Sequence, residues 1–108
     1  MKNRIYISGP ISGIDYKKAF FSFGKAEQAL RKKFGRKVEI TNPMMIVPKG
    51  TDWDTAMKTC IKAMMDCNYI HMLPGIEQSK GARLEVTIAN ALHFGICDEN
   101  YNLVEYGE

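Results

Sequence analysis

The chain has 108 residues, of which 45% are hydrophobic and 25% are charged, and its formal net charge at pH 7 is +3. This length suits one small domain with a single core, and this composition excludes a disordered chain. No apolar run approaches the roughly 20 residues of a membrane-spanning helix, and no secretory signal pattern opens the sequence. We therefore expect a cytoplasmic protein without membrane contacts. The small positive charge is only weak evidence for a nucleic-acid partner.

The cysteines predict free thiols in a reducing compartment. Cys60, Cys67 and Cys97 are odd in number and lack the spacing of a CxxC motif. This pattern argues against both a disulfide framework and a structural zinc site. We therefore expect no bound metal.

The first predicted element is a short apolar strand, Arg4–Ser8, which runs into a loop, Gly9–Gly13, that contains two glycines and a proline. Glycine permits positive φ angles and a close approach of the backbone to a ligand. A plain turn is the simpler interpretation of a Gly-Pro pair taken alone. However, the loop after the first strand of an α/β sheet lies at the edge where ligands bind.

A first helix is predicted from Asp15, a suitable N-cap, to Phe34, with Gly35 just beyond its end. Its apolar residues recur at helical spacing and are expected in the core. They are Phe20, Phe23, Ala26, Leu30 and Phe34. The basic cluster Arg31–Lys37 lies at the end of this helix. Cations in the last turn complement the helix dipole, so a solvated helix end is favoured over a nucleic-acid footprint.

A second strand is predicted over Val38–Ile40 and ends at Asn42-Pro43. Residues 43–50 hold two prolines and two methionines and predict a partly apolar loop that is suited to act as a lid. Thr51 is the predicted N-cap of the next helix, with Asp54 as its capping-box partner. The apolar stripe of that helix is expected to pack in the core. It consists of Trp53, Ala56, Met57, Cys60, Ile61, Met64 and Met65.

The following stretch predicts a buried strand, a loop and a third helix. Asn68–Leu73 is apolar and has the length of a strand, and Pro74-Gly75 stops it. Ser79 is a good N-cap for a helix whose spacing continues to Phe94, with Gly95 ending it. Ile96–Cys97 and Leu103–Tyr106 are candidate last strands.

Within the third helix, Gly81 and Glu85 are four residues apart and therefore share a face. A glycine one turn below a glutamate removes the side chain that would crowd the carboxylate. This arrangement is expected where something other than protein lies beside the carboxylate. A glutamate near a helix start also complements the helix dipole, so the pair alone is a weak signal.

Strands that alternate with helices predict parallel strands joined by right-handed crossovers. We therefore predict a three-layer α/β fold with a four- to five-stranded, mainly parallel sheet of order 2-1-3-4-5. In this order the first and third strands are neighbours, and ligands bind between the loops that follow them. Those loops are Gly9–Gly13 and Pro74–Lys80.

Backbone amides of a glycine loop, the Ser79 hydroxyl and a helix N-terminus together favour an anion such as phosphate. The chain has no Walker A lysine, no complete GxGxxG and no clustered metal ligands. ATP hydrolysis, dinucleotide redox chemistry and a bound cofactor are therefore not expected. A carboxylate beside a sugar or phosphate site indicates attack on an anomeric carbon through a covalent glycosyl intermediate.

Three stretches resemble the nucleoside 2-deoxyribosyltransferase superfamily. They are YISGPISG at 6–13, Asn42-Pro43, and YIHMLPGIEQSKGARLE at 69–85. The likeness is greatest to a small bacterial and phage branch (DUF4406-like) and covers the chain to about Gly95. It implies one domain over residues 1–108, a flavodoxin-like Rossmannoid fold, and a homodimer or larger oligomer.

The resemblance also implies residue roles. Glu85 matches the nucleophilic glutamate that attacks C1′ of a nucleoside or nucleoside 5′-monophosphate and releases the base. Ser79 matches a substrate-contacting position at which a serine contacts the 5′-phosphate in monophosphate glycosidases, which favours a nucleotide and hydrolysis. The other substrate-binding residues that the resemblance implies are Tyr6, Ser8, Gly9, Pro10, Ile11 and Gly13. Gly81 is added to them because of its place on the helix, one turn before Glu85.

Two positions depart from the family pattern. The family usually has an aspartate at the position of Cys60, where it assists the sugar chemistry, and commonly another at the position of Asn68. These departures leave a second hypothesis open, a nucleotide-binding or sensor module with impaired catalysis. A third hypothesis is nucleic-acid binding through Arg31–Lys37, and it is the least favoured.

Overall fold

A computed structural model of the protein describes residues 2–107. The described residues form five strands and three helices: β1 (Asn3–Ser8), α1 (Tyr16–Phe34), β2 (Val38–Thr41), α2 (Trp53–Met64), β3 (Tyr69–Met72), α3 (Lys80–Ala91), β4 (Gly95–Cys97) and β5 (Leu103–Val104). Among these, no helix combines the length and the apolar character that a bilayer crossing requires.

The strands form one sheet of order β2-β1-β3-β4-β5. Strands β1 to β4 are parallel, which confirms the predicted α/β architecture and strand order and is consistent with a flavodoxin-like fold. Strand β5 pairs with β4 in the antiparallel direction. The parallel pattern ends there because residues 98–102 are too few for a crossover connection.

Alternation along β1 divides its side chains between the two faces of the sheet. Ile5 and Ile7 pack in the core cluster under α1. Tyr6 belongs to the second core cluster, which contains residues of α2 and α3. The even-numbered side chains of β1, Tyr6 and Ser8, therefore face the same layer as Glu85 on α3.

All three helices begin at a side-chain cap. The side chains of Asp15, Asp52 and Ser79 each accept a hydrogen bond from the backbone amide three residues later. Asp15 and Ser79 confirm the predicted caps, but the prediction of Thr51 was wrong by one residue. The hydroxyl of Thr51 instead donates a hydrogen bond to the carbonyl oxygen of Pro48, over 2.7 Å.

The predicted core stripes hold only in part. In α1, Phe23 and Leu30 are buried, whereas Phe20 is 45% exposed, so its assignment to the core was wrong. At the end of α2, Met64 is buried but Met65, the residue after the helix, is exposed. The N-terminal half of the α2 stripe borders a cavity instead of filling the core, as described below. Helical spacing alone does not distinguish these two surroundings.

The third helix ends earlier than predicted, at Ala91 instead of Phe94. His93 adopts a left-handed conformation with φ 62°, and the chain turns into β4. Gly95 is the first residue of that strand, and its amide donates to the carbonyl of Asn68. Strand pairing with β3 therefore decides where the helix stops.

Gly95 is required by packing, and Gly95→Ala is expected to destabilise the fold. An added Cβ would collide with the ring of Tyr69 and lie 2.9 Å from the carbonyl oxygen of Val104. Overpacking of this kind costs about 1–3 kcal/mol. Gly24→Ala is the matched control, because a Cβ at this position in α1 meets nothing within 4 Å. It should stabilise the helix by roughly 0.5–1 kcal/mol.

Urea unfolding of both variants measures these differences in the free energy of unfolding. Equal stability of Gly95→Ala and the parent chain would contradict the close packing of β4 against Tyr69.

Candidate active site at the carboxyl ends of the first three strands

The loops that follow β1 and β3 lie against each other. The amide of Leu73 donates to the carbonyl of Ser8, over 2.8 Å. Gly75, with φ 94°, leaves only 3.2 Å between the position of a Cβ and Cγ of Pro10. The two loops that the sequence placed at the switch point are thus in contact, as the strand order requires.

A cavity of about 440 Å³ opens beside these loops. Five segments line it: the loop after β1, Tyr16 at the start of α1, residues 43–51 after β2, the first two turns of α2, and residues 78–85 at the start of α3. The volume lies within the range of sites that bind small molecules. Five of the eight residues predicted to bind substrate line it, namely Gly9, Ile11, Gly13, Ser79 and Gly81.

Glu85 lies at the floor of this cavity. The residue borders the cavity but is only 5% exposed. Its two carboxylate oxygens are held separately, since the hydroxyl of Tyr6 donates to Oε2 and the hydroxyl of Ser8 donates to Oε1, each over 2.7 Å. Charge-assisted hydrogen bonds of this length fix the orientation of the carboxyl group.

Tyr6 and Ser8 therefore act on Glu85. Both are fully buried, and neither borders the cavity. The structure places their hydroxyls on the carboxylate of Glu85, whereas the resemblance implied contact with substrate. Pro10 likewise lies against the loop after β3 and outside the cavity wall.

Burial sets the electrostatics of this cluster. It raises the pKa of Glu85, and the hydrogen bonds from Tyr6 and Ser8 partly offset that rise. Burial and then the nearby Glu85 raise the pKa of the Tyr6 phenol far above its usual range. Tyr6 is therefore a neutral hydrogen-bond donor at neutral pH.

Cys60 borders the same cluster from α2. It is buried and lies within the electrostatic reach of both Tyr6 and Glu85. Burial raises the pKa of its thiol to about 11, so Cys60 is uncharged at neutral pH. Within residues 2–107, no three His, Cys, Asp or Glu side chains are grouped so that they could hold a metal ion.

Ser79 and Gly81 lie on the cavity wall, and contacts within the protein also explain why a serine and a glycine occupy these positions. The Oγ atom of Ser79 accepts from the amide of Ala82 and caps α3. A Cβ on Gly81 would lie 2.9 Å from Sδ of Met57. The space beside Gly81 that the sequence assigned to a ligand is thus shared with a protein side chain from α2.

Two lysines on the cavity wall were missed by the sequence analysis. Nζ of Lys80 lies 4.5 Å from the centre of the Trp53 ring, and Nζ of Lys49 lies 5.2 Å from the centre of the Tyr16 ring. All four residues border the cavity. Exposed lysines are too common to signal a site by type. The sequence did offer one signal for Lys49. Residues 43–51 follow β2, which is parallel to β1, so they lie at the same edge of the sheet as the loop after β1.

The fold and this cavity define the protein as a flavodoxin-like α/β protein with a buried carboxylate at the switch point of its sheet. A family model described as Domain of unknown function (DUF4406) matches residues 3–98. The chain therefore belongs to this family. A search of curated proteins found no match.

Proposed function

We propose that this protein is an N-glycosidase or 2-deoxyribosyltransferase that acts on a nucleoside or a nucleoside 5′-monophosphate, with Glu85 as the nucleophile. The observation that carries the proposal is the buried Glu85 carboxylate at the floor of a ligand-sized cavity, with one hydroxyl on each oxygen. The resemblance of residues 6–13 and 69–85 to the nucleoside 2-deoxyribosyltransferase superfamily supports the same chemistry.

In the proposed first step, an oxygen of ionised Glu85 attacks C1′ and the bond from C1′ to the base breaks. The base leaves with the electron pair of that bond and takes a proton from water. In the second step, water attacks C1′, the bond to Glu85 breaks, and a proton is released to solvent. A second base in place of water makes the reaction a transfer.

The cavity wall suits the other parts of a nucleoside. Tyr16 and Trp53 are aromatic, and Met44, Val47 and Met57 are apolar. Apolar and aromatic walls with a few polar groups are typical of small-molecule sites and accommodate the flat, weakly hydrated face of a base.

A panel assay tests the proposal. The four 2′-deoxynucleosides, the four ribonucleosides and their 5′-monophosphates are incubated with the protein, and free base is measured by chromatography. We expect base release from a subset of them, and a second base added to the reaction separates transfer from hydrolysis. Absence of base release across the panel at high protein concentration would refute the catalytic proposal.

A nucleotide-binding module without turnover is the second candidate, and one observation favours it. Glu85 is the only carboxylate among the described residues that border the cavity. Most glycosidases place two carboxylates at the scissile bond, one of them a general acid. Here the neutral thiol of Cys60 lies beside the cluster instead. This candidate predicts that panel members raise the melting temperature without release of base.

A further inference from the structure

We propose that the outward face of α1 binds an anionic lipid surface, with Phe21 entering the headgroup layer and the lysines around it contacting the lipid charges. This face lies outside the cavity of the proposed function, and its role does not depend on that function. The sequence led us to expect no membrane contact because it holds no segment long enough to span a bilayer. A helix that lies on a membrane needs no such segment.

Positive charge is concentrated on α1 and the short turn after it. Residues 15–37 contain eight basic and two acidic residues, a net charge of +6 at pH 7. The rest of the chain contains seven basic and ten acidic residues, a net charge of −3. All the basic residues of this segment are exposed, namely Lys17, Lys18, Lys25, Arg31, Lys32, Lys33, Arg36 and Lys37. The basic surface therefore extends along the whole of α1, beyond the cluster at its end that the sequence indicated.

One line of side chains on α1 faces directly away from the sheet. The buried residues of the helix recur at steps of three and four positions and pack in the core. They are Ala19, Phe23, Ala26 and Leu30. A second set with the same steps lies on the opposite side of the helix, because each residue advances the helix by about 100°. This outward line consists of Lys18, Phe21, Lys25, Gln28 and Lys32, all of them exposed.

Phe21 lies within this line of lysines and is 69% exposed, the highest value among the large hydrophobic side chains described. Its neighbour Phe20 is also exposed. Gly24, one turn further on, adds no side chain that would cover either ring, and a Cβ there would meet nothing within 4 Å. Removal of such a ring from water favours binding. The partner must therefore offer both negative charge and an apolar layer.

No other helix among the described residues covers this face. The α-helical residues of the core cluster beneath α1 all belong to α1, whereas α2 and α3 contribute to the cluster on the other face of the sheet. Lys18, Lys25 and Lys32 form no salt bridge in the part of the chain described. Both the outward line and its charges are thus available to a partner.

An anionic bilayer has the two properties in the required order of depth. Its headgroups carry the charge, and its apolar region begins just beneath them. Helices that lie on membranes place Lys and Arg among the headgroups and Phe, Leu or Trp below. A single-stranded nucleic acid is bound in a groove that follows its backbone, whereas this surface is convex. A second copy of the chain would bring two surfaces of like charge together, which opposes self-association through α1.

Co-sedimentation with vesicles tests this proposal. The chain is mixed with vesicles of phosphatidylcholine alone, or of phosphatidylcholine with about 30% phosphatidylglycerol, at low salt and at about 0.15 M salt. We expect binding to the anionic vesicles to be at least about tenfold stronger and to weaken as salt is added. Lys25→Gln/Lys32→Gln should weaken it by roughly twentyfold, since each cation near the surface contributes about fivefold. Phe21→Ala should weaken it by roughly fivefold to tenfold.

Two controls make the same changes away from α1. Lys58→Gln/Lys62→Gln removes two exposed lysines from α2, and Leu92→Ala truncates an apolar side chain that is 56% exposed. Both should leave vesicle binding within about twofold of the parent, as is usual for surface substitutions. Equal binding to neutral and anionic vesicles, or no binding to either, overturns the proposal. So does a loss in the α2 variant as large as the loss in the α1 variant, since net charge alone would then explain it.

Nucleic acid is the competing partner, and a second measurement separates it. Fluorescence anisotropy is recorded with a labelled single strand and a labelled duplex at the same salt concentrations. Weak binding that does not respond to Phe21→Ala supports the lipid surface. Nucleic-acid binding that exceeds the affinity for anionic vesicles and is lost in Lys25→Gln/Lys32→Gln overturns it. Base release has no part in either measurement, so the outcome is independent of whether the protein is a glycosidase.

Discussion

Glu85→Gln is expected to reduce base release by a factor on the order of 10³ or more while the chain remains folded. The amide has nearly the shape of the carboxylate but lacks the nucleophilic charge, so the bond to C1′ cannot form. Initial rates on the best substrate of the panel measure the loss. A circular dichroism spectrum that matches the parent chain confirms that the fold is retained.

Glu77→Gln serves as the control for this variant. Glu77 is an exposed glutamate in the same loop-to-helix region, and it does not border the cavity. Its replacement should leave the rate within about twofold, as is usual for surface substitutions. A rate for Glu85→Gln that equals that of Glu77→Gln would exclude Glu85 as the nucleophile.

Glu85→Gln should also change how the free energy of unfolding depends on pH. Because burial raises the pKa of Glu85 in the folded state, the folded chain holds the proton of this group more tightly than the unfolded chain. The free energy of unfolding of the parent therefore falls as the pH rises from the ordinary glutamate range through the raised pKa. Glu85→Gln lacks this decrease, so its stability relative to the parent should rise over that interval. Denaturant melts across the acid range measure the difference.

Tyr6→Phe and Ser8→Ala are expected to move the acid limb of the pH–rate profile to higher pH. Both hydroxyls donate to the Glu85 carboxylate and lower its pKa. Removal of either donor leaves the effect of burial less opposed, so the pKa rises further and a smaller fraction of Glu85 is ionised at a given pH. Each variant should lower the rate at neutral pH by about tenfold to a hundredfold, with a smaller loss at alkaline pH.

Tyr106→Phe and Ser22→Ala remove the same groups at exposed positions outside the cavity and should leave the profile unchanged. A uniform loss of rate in Tyr6→Phe and Ser8→Ala, with the acid limb in its original place, would argue against their role in setting the pKa of Glu85. It would leave only a contribution to packing.

Local signals in the sequence were sufficient for the strand order and for the position of the crevice. Each of these signals is contained in a few consecutive residues. They are the apolar runs of the strands, the helix caps Asp15 and Ser79, and the Pro74-Gly75 break. The rule that ligands bind at the carboxyl ends of parallel strands then placed Gly9–Gly13 beside Pro74–Lys80. Element ends were less predictable, because pairing of Gly95 with β3 stops α3 one turn early.

The partners of Glu85 depended on tertiary structure. Tyr6 and Ser8 lie 79 and 77 positions before it in the chain. Whether their hydroxyls reach the carboxylate depends on which face of β1 they occupy and on how α3 packs over that face. The cavity wall formed by residues 43–51 and the start of α2 depended on the same packing.

By itself, the sequence determined that a glutamate would stand one turn into a helix, at the edge of a parallel sheet where two turns meet. Only the tertiary structure decided that this glutamate is buried, that two hydroxyls donate to it and that two lysines border the same cavity. The physical reason is the sequence separation of the interacting residues. Helix starts, strand lengths and turns are decided by neighbours along the chain. Burial and side-chain contacts between distant positions exist only after the layers have packed.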